Sequence, residues 1–131
     1  MNKLLLLFLY LVSTMLTGCF QKKSTFGESG RLENIGVPSS IEYYKNINCH
    51  LSDTASFIIT DKDELKTAID EIKNADNPVP MKGCGGHLIR IHFSDSVVNM
   101  STFNNRKIGF GSSGKFYDLE KQNFITRRTN E

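Results

Sequence analysis

The chain lacks any strong excess of one charge. Its 131 residues carry 16 Lys and Arg against 14 Asp and Glu, a net of +2, too little to draw a nucleic-acid partner. It also lacks an apolar run near the roughly 20 residues that a helix needs to cross a bilayer; the longest, Leu4–Val12, stops at half that. There is no internal repeat. No grouping of nucleophile, base and acid specifies a reaction, so an enzyme reading has no residues to carry it. Cysteine is scarce, with three in all, and their positions carry much of what can be read.

What is present begins with an address. Residues 1–18 have one positive charge, Lys3, then Leu4–Leu7, Phe8, Leu9, Tyr10, Leu11 and Val12, then the small residues Ser13 and Thr14. A positive start, an apolar core and a small-residue exit are the parts of a secretion signal. The core has no polar face, as a helix packed in a folded domain would have.

The core runs into Leu16-Thr17-Gly18-Cys19, an aliphatic residue, two small ones and a cysteine. This resembles the lipobox of bacterial lipoproteins. The resemblance covers the first 19 residues and implies that the Cys19 sulfur receives a diacylglyceryl group. It also implies cleavage before Cys19 and acylation of the new amino end. One acyl chain holds a protein to a membrane only marginally, whereas several hold it durably. Phe20, in place of aspartate, favours by family rules the outer membrane facing the periplasm in a Gram-negative host.

Residues 19–40 read as the lipidated terminus and a flexible linker, rich in Ser, Gly, Lys and Glu without a period. Residues 41–131 read as one small α+β domain, with one amphipathic helix on an antiparallel sheet of four to five strands. "IEYYKNI" and "ASFIIT" are β-branched and aromatic. "TDKDELKTAIDEIKNADNP" is the helix. Asp61 and Glu64 have capping-box spacing, and Leu65, Ala68, Ile69 and Ile72 form one apolar stripe. "NPVPMKGCGG" reads as a turn region. "HLIRIHFS" then alternates, with Ile89, Ile91 and Phe93 on one face and Leu88, Arg90 and His92 on the other. "VVNMSTF", an Asn104-Asn105 turn and "RKIGF" continue an antiparallel meander, and "KFYDL" either adds one more strand or begins a short C-terminal turn of helix through "EKQNF".

With Cys19 committed to lipid, Cys49 and Cys84 remain. Export favours their pairing as a disulfide, closing a loop of about 35 residues for roughly 3–4 kcal/mol. The alternative is a metal site of Cys49, His50, Cys84 and His87, which has the ligand inventory of tetrahedral zinc. Its spacing is poor, since Cys49 and His50 are adjacent. Neither a cofactor nor a nucleotide is indicated. "GFGSSG" matches G-x-G-x-x-G but has no following helix, so a glycine-rich hairpin explains it. Asn99 sits in a glycosylation sequon that a bacterial lipoprotein has no reason to use. Asp61, Asp63, Glu64, Asp70 and Glu71 read as the wet face of the helix.

Arg90, His92, Arg106, Lys107 and Lys115 are candidates for a partner-binding face that would meet an acidic protein, with Arg127 and Arg128 nearby. The sequence therefore points to a lipid-anchored envelope protein that binds another protein without catalysis, as an immunity or inhibitor lipoprotein does. The alternatives are an envelope assembly or maintenance lipoprotein and, third, a small hydrolase or metal-dependent enzyme.

Overall fold

Ile41 and Tyr43 alternate with Ser40, Glu42 and Tyr44, and in strand β1 (Ser40–Tyr44) that alternation becomes a buried and a more exposed side. The same period of two runs through β6 (His87–His92), where Ile89 and Ile91 are fully buried. The computed structural model describes residues 36–111 and 113–130. Residues 1–18, the lipidation candidate Cys19 and most of the expected linker lie outside the described residues.

The further elements are β2 (Asn46–Ile47), β3 (His50–Leu51), β4 (Phe57–Ile59), α1 (Lys62–Asn74), β5 (Asp76–Lys82), β7 (Val97–Phe103), β8 (Lys107–Gly109), β9 (Ser113–Asp118) and α2 (Thr126–Thr129). Seven strands form one antiparallel sheet in the order β4-β1-β6-β7-β8-β9-β5. The fold is thus mainly β, with α1 its one long helix among the described residues.

The sheet exceeds the four to five strands expected from the sequence. The region read as a turn supplies one of the extra strands, β5, despite Pro78 and Pro80. β5 is an edge strand. One side of an edge strand makes no ladder hydrogen bonds, so missing amide donors are tolerated there.

α1 forms as its sequence predicts. The Asp61 carboxylate accepts the N–H groups of Asp63 and Glu64 at 3.1 and 3.0 Å, satisfying donors that a helix start leaves open. Leu65, Ala68, Ile69 and Ile72 are its buried residues, and they join Ile41, Tyr43, Ile89, Ile91, Met100, Ile108 and Tyr117 in one core. Seven strands spaced at about 4.8 Å make a sheet about 29 Å wide, whereas α1 is only about 10 Å across. The C-terminal segment supplies the rest of the cover, through Leu119, Phe124 and Ile125.

That segment is clasped to α1 by acids expected on its wet face. Glu71 Oε2 accepts the Phe124 N–H and Glu71 Oε1 meets Arg127 Nη1, both at 2.7 Å, and Glu64 pairs with Arg128. Asn123, fully buried, donates to the carbonyls of Asn105 and Glu120 and accepts from the N–H groups of Ile125 and Thr126. Asn105 in turn accepts the Tyr43 hydroxyl at 2.8 Å.

The opposite face carries a smaller apolar centre. Phe116 pairs with Gly109 and Val79, is fully buried, and meets Phe103 edge-on at 5.1 Å. The Gly83–Gly86 loop lies against Phe103. A Cβ on Gly86 would meet that ring at 3.0 Å and Ser101 Cβ at 3.3 Å.

Candidate functional site

β2 and β3 stand outside the main sheet as a two-stranded hairpin, with Asn46 opposite Leu51 and Ile47 opposite His50. Its turn is Asn48-Cys49, with φ of 52° and 64°, the left-handed pair that a two-residue hairpin favours. The Cys49 sulfur is bonded to Cys84, with the Cα atoms 5.3 Å apart, an ordinary span for a disulfide. The bond joins the hairpin tip to the loop between β5 and β6.

Asn46 adds a second brace. Its N–H donates to His87 Nδ1 at 2.9 Å, and its side-chain amide donates to the carbonyls of Cys84 and Gly86 at 2.7 and 3.0 Å. The Ser52 N–H closes the base of the hairpin on the Lys45 carbonyl at 2.8 Å. On this fixed frame Ile47 is 66% exposed and Leu51 47%, with His50 also exposed.

The same geometry bears on the zinc alternative. Both sulfurs of Cys49 and Cys84 are spent on each other, which removes the thiolates that such a site needs. His87 Nδ1 accepts the Asn46 N–H, and its ring tilts against Tyr43 at 5.5 Å. Among the described residues no group of three or more His, Cys, Asp or Glu is placed to hold a metal ion.

A second polar grouping occupies the face of the sheet away from α1. Glu42, on β1, lies opposite Arg90, and Arg90 lies opposite Asn99. Glu42 Oε2 accepts the Tyr44 hydroxyl at 2.8 Å, and His92 Nε2 stands 3.1 Å from the same oxygen. Arg90 Nη1 is 3.9 Å from Glu42, its guanidinium lies 5.3 Å from the centre of the Tyr44 ring, and its Nε donates to Asn99 at 3.3 Å.

These contacts set the acidities. The Tyr44 hydroxyl, then His92 and Arg90, hold the Glu42 carboxyl below the usual carboxylate range against a smaller opposing effect of burial. The hydrogen bond to Glu42 in turn raises Tyr44 above the usual phenol range.

The basic residues picked out in the sequence do not form one patch. Arg90 and His92 share the outward side of β6 and are paired with Glu42. Lys107 lies two strands away, opposite Phe103 and Asp118, and is ion-paired with Asp118. Arg106 sits in the turn before β8, and Lys115 is exposed opposite Pro80 on β9. Nothing local in the sequence marks Asn46, Glu42 or Tyr44 as part of a site. The period-two pattern of β1 places Glu42 and Tyr44 on one side, but only pairing with β6 brings Arg90 and His92 to them.

No family model, no curated protein and no solved structure matches the chain.

Proposed function

We propose that this chain is a lipid-anchored protein of the bacterial envelope that binds another protein there without catalysis, in the manner of an immunity or inhibitor lipoprotein. The anchor is Cys19, and the compartment is the periplasmic side of the outer membrane in a Gram-negative host. The observation that carries the binding reading is the braced hairpin. Ile47 and Leu51 hold large aliphatic side chains in water on a backbone pinned by the Cys49–Cys84 bond and by Asn46.

Exposed aliphatic surface of this kind gains free energy when a partner covers it. A segment already rigid in its binding shape loses less conformational entropy on association than a free loop. An exposed apolar tip braced at its turn and base suits the apolar cleft of a larger protein, such as a secreted toxin or a lytic enzyme.

The test is capture from envelope extract by the full chain, compared with Ile47→Asp and Leu51→Asp. A specific partner whose recovery falls at least tenfold with both variants, and not with Val97→Asp on the sheet, supports the reading. If that partner loses activity when bound, the role is inhibition; if it is a subunit of an assembly complex with undiminished activity, the role is assembly. Equal recovery by all three variants refutes the hairpin as the contact. Intact-mass measurement of protein from its own cells tests the anchor, with acylated Cys19 at the amino end as the expected result.

A further inference from the structure

Two adjoining depressions lie where the β7–β8 turn meets the C-terminal segment. Asn104, Arg106, Lys107, Asp118, Leu119 and Lys121 line one of about 320 Å³, and Arg106, Lys121, Gln122, Thr126 and Arg127 line another of about 240 Å³. Arg106 and Lys121 belong to both, so they flank the passage between them. Of the four cations around this trough, Lys107 is paired with Asp118 and Arg127 with Glu71. Among the described residues Arg106 and Lys121 have no acidic partner, and Arg106 is the only arginine there without one.

The walls are held in place by the backbone. The Leu119 N–H donates to the Arg106 carbonyl at 2.6 Å, and buried Asn123 donates to the Asn105 carbonyl at 2.9 Å. The trough is therefore formed before any ligand arrives. Two uncompensated cations lining one depression give it a positive potential that favours an anion.

We propose that this trough binds a phosphate group between the Arg106 guanidinium and the Lys121 ammonium. A phosphate spreads its charge over oxygens that point in several directions and can engage both walls at once. The planar fork of arginine matches two of those oxygens, and lysine supplies a point charge to another. A lone carboxylate, with two coplanar oxygens and one charge, would be satisfied by Arg106 alone. A free phosphate and the phosphate of a lipid headgroup present the same chemistry to this site. The site is separate from the hairpin and does not depend on it.

The test is an amide-shift titration of the full chain in mild detergent at low salt, with orthophosphate, pyrophosphate and glycerophosphoglycerol as probes. The expected result is saturation in the millimolar range or tighter, with shifts confined to residues 104–107 and 119–127. Arg106→Gln and Lys121→Gln should each weaken binding about tenfold, as loss of a charge-assisted hydrogen bond does, while Lys115→Gln leaves it unchanged. Both side chains are exposed, so unchanged thermal unfolding checks that the variants remain folded. Preference for the glycerol diester indicates a lipid headgroup, and preference for the two inorganic ions a free phosphate. Absence of saturation with all three probes overturns the proposal, as does equal weakening by Lys115→Gln or full binding by the two trough variants.

Discussion

Glu71 and Phe124 are 53 residues apart in the chain, yet the Glu71 carboxylate accepts the Phe124 N–H at 2.7 Å. The same side chain reaches Arg127, and it is 18% exposed. This contact fastens the C-terminal segment to α1 and so keeps Phe124 and Ile125 over the part of the sheet that α1 cannot cover. Glu71→Ala should cost about 1–3 kcal/mol, the usual loss for a hydrogen bond to a charged group. Chemical denaturation measures the cost. Hydrogen exchange should show the protection of residues 123–129 falling before that of β6.

Asn123 is the second fastening, with its amide used from both ends and its side chain fully buried. Replacement by Ala leaves the Asn105 carbonyl and two backbone N–H groups without their partner. The expected loss is about 2–4 kcal/mol, larger than for Glu71→Ala, because buried groups left unsatisfied carry their desolvation cost. Equal denaturation midpoints for wild type and Asn123→Ala would refute this role.

Gly109 is small for a packing reason. A Cβ there would meet the Lys115 carbonyl oxygen at 2.6 Å and the Phe116 ring at 3.0 Å. Backbone cannot yield as a flexible side chain does, so Gly109→Ala should destabilise by about 1–3 kcal/mol, in the range of overpacking. Gly85, with nothing within 4 Å of its added Cβ, is the control and should tolerate alanine by the same denaturation measurement.

The Glu42 group makes stability depend on pH. Its folded-state acidity is displaced downward by Tyr44, His92 and Arg90. Its contribution is thus complete above the ordinary carboxylate range and is lost as pH falls through the depressed value. Glu42→Gln should therefore lower stability near neutral pH, and the difference from wild type should vanish in strong acid. Tyr44, raised chiefly by its bond to Glu42, should return towards the ordinary phenol range in the same variant. Ring-carbon NMR titration resolves Tyr44 from the other tyrosines and checks the shift.

How legible the domain was depended on whether a signal was local. α1 was legible because Asp61 caps it within three residues and its apolar stripe repeats within one segment. β6 and β7 were legible because alternation marks a strand covered on one side. β5 was not, because its prolines are the same whether the segment turns or lies at a sheet edge, and only β9 beside it decides. Glu71 and Glu64 looked like solvent-facing acids because their partners arrive more than 50 residues later.

By itself the sequence determined the helix and the alternating strands, and it left Cys49 and Cys84 as candidates for pairing. These follow from periodicity, capping and composition, which act over a few residues at a time. Only the tertiary structure decided that Cys49 meets Cys84 at a hairpin outside the main sheet, that Glu42 gathers Arg90 and His92, and that Arg106 lines the same trough as Lys121. Each of these depends on strand order and register, set by how one sheet and its cover bury a shared core, and no local pattern encodes that.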